Sequence, residues 1–131
     1  MSRIDTILLV DDDQITNFIN TRLIKKLNVT DEIMVALNGE EALKFIRSCS
    51  IEGKKCPDVI FLDINMPVTD GFGFLKEFEN IDIDEKDQVK IIILTTSTNP
   101  KDLKNLEQFN IKGFINKPLT EQKVKEALEE I

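Results

Sequence analysis

Five short apolar runs recur along the chain, at Ile7–Val10, Ile33–Leu37, Val59–Leu62, Ile91–Leu94 and Gly113–Ile115 with their flanks. Ile7-Leu8-Leu9-Val10 and Ile91-Ile92-Ile93-Leu94 do not alternate with polar residues. Strands that are apolar on both sides belong in a sheet covered on both faces, and such sheets are usually parallel. Parallel neighbours need a crossover, so the segments between the runs should be helices.

Those segments have helical spacing. Ile15, Phe18, Ile19, Leu23 and Leu27 form one stripe, predicting a helix over about 14–27 with that stripe turned inward. Ala42, Leu43 and Ile46 mark a second helix, with Asn38 placed to cap it. Leu75 and Phe78 mark a shorter third helix after Gly71. For a fourth, Asn99 is a plausible N-cap and Pro100 a first helical residue, with Leu103 and Leu106 facing inward. Thr120 can cap the last helix, where Val124, Leu128 and Ile131 repeat at helical spacing. The polar stretch from Glu79 to Lys90 reads as a solvated loop. The order is βαβαβαβαβα. Right-handed crossovers make it a doubly wound α/β fold, a five-stranded parallel sheet for which the strand order 2-1-3-4-5 is suited. At 131 residues the chain is the size of one domain, expected to span 1–131.

Composition removes several chemistries. The net charge of −7 makes the chain a poor binder of a nucleic-acid backbone. It has no His, hence no histidine base and no imidazole metal ligand. Trp and Tyr are also absent, so the eight Phe carry the aromatic packing. Cys49 and Cys56 read as two reduced thiols packed as small hydrophobes. The N-terminus has no signal-like pattern, and apolar runs of about four or five residues fall far short of the ~20 a membrane span needs. A cytoplasmic protein without membrane contact is expected.

Ligands of open α/β sheets sit beyond the carboxyl ends of the strands. There the chain places Asp11, Asp12 and Asp13 after the first strand and Asp63 after the third. Thr95, Thr96 and Ser97 follow the fourth, and Asn116, Lys117 and Pro118 the fifth. Any one of these is an ordinary turn residue. Together they concentrate carboxylates that repel one another, which a divalent cation explains. Hard oxygen ligands suit Mg²⁺, and the −3 of Asp11, Asp12 and Asp63 balances the +3 of Mg²⁺ with Lys117. No phosphate-binding GxxxxGK[ST] loop or GxGxxG fingerprint is present. A carboxylate beside Mg²⁺ can itself attack phosphorus to form an acyl phosphate.

The segments LLVDDD, LDINMPVTDG, IIILTTS and GFINKPLT, each at a strand end and in this order, resemble the receiver domain of two-component response regulators. The likeness is to the stand-alone chemotaxis-receiver type, with its flavodoxin-like fold, and runs from about Asp5 to Ile131. It implies that Asp63 is the phosphoacceptor, with Mg²⁺ held by Asp11, Asp12, Asp63 and the backbone carbonyl of Asn65. Asp12 would be the more direct ligand and Asp11 would act largely through water. Lys117 would pair with a phosphoryl oxygen, followed by a cis bond to Pro118. Thr95 would be the switch hydroxyl and Phe114 the switch aromatic. Asp13 would be a third loop acid without direct metal contact.

The implied partners are a histidine kinase or histidine phosphotransfer protein and a downstream target protein, with no nucleic acid. The target would meet the fourth helix, fifth strand and fifth helix, roughly 99–131, a face with six Lys and six Asp or Glu. Such a domain catalyses only its own phosphorylation and dephosphorylation, and is not an enzyme of turnover. Phe114 departs from the tyrosine often found there, and Thr96 is bulkier than many residues at its position. No output domain is expected within this chain, which is a single-domain regulator or a piece of a longer protein.

Other readings fit less well. A flavin binder would need a phosphate loop where three aspartates stand. A haloacid-dehalogenase-type phosphatase has DxDx[TV], which Asp11-Asp12-Asp13-Gln14 begins but Ile15 ends. A vestigial interaction module would not need to keep Mg²⁺ binding.

Overall fold

The computed structural model describes residues 4–51, 56–64, 71–81, 89–96 and 104–129, with backbone alone at 50 and 51. Five strands, β1 (Ile4–Val10), β2 (Thr30–Ala36), β3 (Val59–Asp63), β4 (Lys90–Thr95) and β5 (Gly113–Asn116), form one sheet. All pairings are parallel and the order is β2-β1-β3-β4-β5, as the apolar runs and crossovers predict. The described helices are α1 (Gln14–Leu27), α2 (Gly39–Ile51), α3 (Gly71–Asn80) and a C-terminal helix (Glu121–Glu129). Residues 104–106 are also helical, while the expected Asn99 cap, Pro100 and Leu103 lie outside the described residues. Among the described residues no helix is long and apolar enough to cross a membrane.

Side chains alternate across a strand, so a run without polar residues feeds two cores. Leu8, Val10, Ile60, Leu62, Ile91 and Ile93 pack on one face, against Ile46 of α2, Phe74 of α3 and Leu106. Ile7, Leu9, Phe61, Ile92 and Leu94 pack on the other, against Ile24 of α1 and Val124 and Leu128 of the C-terminal helix. Each such side chain stabilises the fold by roughly 1.5–3 kcal/mol relative to exposure. Two of the predicted caps lie among the described residues, and both form. Asn38 Oδ1 accepts from Glu41 N at 2.8 Å, and Thr120 Oγ1 accepts from Lys123 N at 3.2 Å.

Two expectations are overturned. The first half of α1 is turned the other way. Ile15, Phe18 and Ile19 are 70%, 62% and 56% exposed, while Asn17, Asn20 and Ile24 are buried. The phase is set at the helix start. Asp13 caps it, accepting from Ile15 N at 3.0 Å and from Thr16 Oγ1 at 2.9 Å, and the Asn17 side chain is drawn under the Asp11 carbonyl. Only Leu23 and Leu27 of the predicted stripe pack against the core.

The second concerns Cys49 and Cys56, which are joined in a disulfide rather than kept as thiols. The last turns of α2 and the lead into β3 bring their Cα atoms to 5.5 Å, inside the range a disulfide requires.

Candidate functional site: an acidic cluster at the carboxyl edge of the sheet

The central strands β1 and β3 are neighbours, so their carboxyl ends bring Asp11 and Asp63 together. Both are buried, and Asp12 between them and solvent is exposed. One carboxylate oxygen from each of Asp11, Asp12 and Asp63 lies within 4.8 Å of the others. This hard-oxygen set, two members held on strand ends, has the chemistry to hold a divalent cation such as Mg²⁺. Asn65 lies outside the described residues.

Lys117 follows β5 and reaches across the edge. Its Nζ is 2.8 Å from Asp11 Oδ2 and 3.1 Å from Asp63 Oδ2. Burial alone would pull the ammonium down from its ordinary value. The bonds and charges of Asp11 and Asp63 outweigh burial, and the net shift is upward. Three carboxylates and one ammonium leave a formal −2, the charge one divalent cation offsets. The backbone around Lys117 is also tied down. Its N–H donates to Thr95 O at 2.9 Å, Lys117–Pro118 is cis, and Lys123 Nζ donates to Asn116 O at 2.8 Å and to Pro118 O at 3.2 Å.

Thr95 ends β4 and is buried beside this cluster. Phe114, on the edge strand β5, is 47% exposed and lines a groove of about 310 Å³ with Ile115, Lys123 and Ala127. The two residues expected to form a switch pair are thus split, with a hydroxyl at the site and a ring at the surface. Thr96 is exposed. It lines a cleft of about 340 Å³ that runs from Ile19 and Asn20 of α1 to Lys117 and Pro118.

Sequence reasoning missed three features. Asp13 is the cap of α1, and its bonds from the Thr16 hydroxyl and the Ile15 N–H hold its carboxyl below the ordinary range. An Asp directly before a helix is a cap signal that could have found it. Asn17 belongs to the site through Asp11, and nothing in its spacing marks that. The apolar face of α1 opens beside the acidic loop, which a helical wheel cannot distinguish from a core face.

Comparison with known proteins agrees with this geometry. The response regulator receiver domain family matches residues 7–129. A probable C4-dicarboxylate response regulator, DctR, of Halalkalibacterium halodurans is 31% identical over 93% of this chain and 49% of its own length. A hybrid signal transduction histidine kinase of Dictyostelium discoideum is 30% identical over 92% of this chain but only 5% of its own. The chain thus spans about half of the first relative and a small part of the second. The crystal structure of a two-component response regulator from Cytophaga hutchinsonii superposes with a TM-score of 0.87 at 29% identity, covering 98% of this chain and 96% of that one. With the 2-1-3-4-5 sheet and the Asp11–Asp63–Lys117 cluster at its carboxyl edge, these matches establish that the chain belongs to the response regulator receiver domains of two-component signalling systems.

Proposed function

We propose that the chain is a phosphorylatable receiver switch. It takes a phosphoryl group from a phosphohistidine donor onto Asp63 and presents a changed surface to a target protein. The observation that carries this is the reach of one ammonium, Lys117 Nζ, to both buried carboxylates, Asp11 at 2.8 Å and Asp63 at 3.1 Å. An Asp63 oxygen forms the new P–O bond as the donor's P–N bond breaks, the electron pair leaving on the imidazole nitrogen. Mg²⁺, held by Asp11, Asp12, Asp63 and the Asn65 carbonyl, would neutralise charge on the transferring group. Lys117 orients Asp63 and pairs with a phosphoryl oxygen. Attack of water on the acyl phosphate returns Asp63 to the carboxylate, so the domain turns over only itself.

Thr95 is buried at the site and supplies a hydroxyl to the phosphoryl oxygens. Its movement leaves room for the Phe114 ring to turn in from its exposed position, which changes the surface that β5 shares with the C-terminal helix. The kinship with a hybrid histidine kinase supports a histidine-kinase or phosphotransfer donor. The exposed Ile15, Phe18 and Ile19 beside the acidic loop offer that donor an apolar landing face. A cytoplasmic setting, whose reducing thiol pool would open the Cys49–Cys56 bridge, and a single-domain organisation over 1–131 complete the proposal.

Intact-mass analysis with Mg²⁺ and a small phosphodonor tests it. One phosphoryl group is expected on the native chain and none on Asp63→Asn. Modification of Asp63→Asn at the native rate would overturn the assignment.

A further inference from the structure

Asn17 is 4% exposed and lies one turn into α1. Its Nδ2 donates to the backbone carbonyl of Asp11 at 2.8 Å. That carbonyl belongs to the peptide joining Asp11 to Asp12, so the bond fixes the plane of the link between two of the three clustered carboxylates. Since a carbonyl only accepts, the amide must present its nitrogen there, and its orientation is determined. The other end, Asn17 Oδ1, is buried with no hydrogen-bond partner among the described residues. A buried acceptor without a partner destabilises the fold, and an apolar side chain of similar volume would avoid that. Packing therefore does not account for Asn at this position, whereas the Nδ2 bond does.

The three carboxylates are not held alike. Asp11 is fixed by Lys117 Nζ on Oδ2, by the Asp13 N–H on Oδ1 at 3.0 Å, and by its own N–H on Ala36 O at 3.1 Å. Asp63 is fixed by Lys117. The Asp12 side chain is exposed and has no partner among the described residues, yet it lies within 4.8 Å of the other two. Its direction is set by its backbone, and its backbone is set on the Asp11 side by Asn17.

We infer that Asn17 is a positioning residue for the acidic site, holding the Asp11–Asp12 peptide so that the Asp12 carboxylate faces the point where the three aspartates meet. This rests on the divalent-cation reading above. The residue touches neither cation nor phosphoryl group; it acts through Asp12, as partners behind a ligand do elsewhere.

The test is Mg²⁺ affinity by calorimetry on the unphosphorylated protein, alongside the melting temperature in chelator. Asn17→Leu removes both the donor and the orphaned acceptor. Its Mg²⁺ dissociation constant should rise roughly 10-fold or more, while its melting temperature in chelator changes little, the orphaned Oδ1 that is removed offsetting the Asp11 carbonyl that loses its donor. Asn17→Gln keeps an amide and should recover part of the affinity. Asn17→Ala, too small to overpack, should weaken Mg²⁺ binding as Leu does and serves if the Leu variant does not fold. Native affinity in the Leu or Ala variant overturns the inference. A native protein that binds no Mg²⁺ at all overturns the function reading itself and this inference with it. Loss of melting temperature without loss of affinity would assign Asn17 a purely structural role, also against the inference.

Discussion

Gly71 donates its N–H to the Ile64 carbonyl at 3.2 Å, and a Cβ on Gly71 would lie 2.5 Å from the Ile64 Cα. No real Cβ sits that close to backbone. The first residue of α3 is therefore pressed against the residue that follows Asp63, and only the missing side chain permits it. Gly71→Ala should displace the end of β3 or the start of α3, lowering stability by about 1–3 kcal/mol. Because the displaced backbone adjoins Asp63, phosphorylation by a small phosphodonor should slow more than the stability loss alone explains. The check is urea unfolding together with the rate at a temperature where both forms are fully folded. Native values for both would remove the steric argument.

Lys117 is the one cation within reach of two buried carboxylates among the described residues. Lys117→Met should destabilise the fold, towards the low end of the ~3–5 kcal/mol seen when a buried pair loses one partner, because the ammonium is partly solvated. Saturating Mg²⁺ should restore part of that loss. The pH dependence has a definite sign. Burial opposes the charge but Asp11 and Asp63 outweigh it, so the folded value lies above the ordinary 10.5. A raised lysine contributes stability that is fully present below its unfolded value and lost as pH rises through its folded value. The native-minus-Met difference should therefore stay level from neutral pH towards 10.5 and shrink only above it. A difference that vanished between neutral pH and 9 would contradict the pairing.

The Cys49–Cys56 bridge closes a short loop between α2 and β3. Bridges of this kind stabilise by about 2–4 kcal/mol, chiefly by restricting the unfolded chain. Without reductant the purified protein should resist alkylation of either cysteine, and reduction should lower the urea midpoint with the slope little changed. Cys49 is buried and Cys56 packs against the core on the α2 side, so the reduced protein should remain folded. Ready alkylation of both thiols in native buffer before any reductant is added would show that the bridge does not form.

The sheet was legible because the central strands β1, β3 and β4 are apolar on both sides, and that pattern admits few other folds. The acidic edge was legible for a related reason. Strand ends are where side chains converge in such a sheet, and Asp11, Asp63, Thr95 and Lys117 all stand one step beyond or at a strand end. The rotation of α1 was not legible. A stripe through Ile15, Phe18, Leu23 and Leu27 satisfies a helical period as well as one through Asn17, Asn20, Ile24 and Leu27. What decides between them is the Asp13 cap and the bond from the Asn17 side chain to Asp11 O, six residues back, neither of which a period encodes. The cysteine pair failed similarly, since a spacing of seven is compatible with many separations until α2 and β3 are placed.

The inverted face of α1 makes the last prediction. Ile15, Phe18 and Ile19 point to solvent, and the same helix carries Arg22, Lys25 and Lys26 with no acidic residue on a chain whose net charge is −7. Arg22 lies 5.8 Å from the centre of the Phe18 ring, so the basic and apolar parts of the face are contiguous. Exposed apolar groups contribute little to the fold, and Phe18→Ser with Ile19→Ser should change stability by no more than ~0.5 kcal/mol each. They should leave phosphorylation by a small phosphodonor at the native rate, because neither side chain belongs to the acidic cluster. Transfer from a phosphohistidine protein donor should instead fall by about 10-fold or more for the pair, the loss expected where two anchoring apolar side chains leave an interface. If the donor surface is acidic, added salt should slow the native transfer further, since the three cations guide the encounter. Stopped-flow or quench measurements with both donors separate the two steps. Equal losses with the small and the protein donor would place the defect in the chemistry, and native transfer from the protein donor would remove α1 as its landing face.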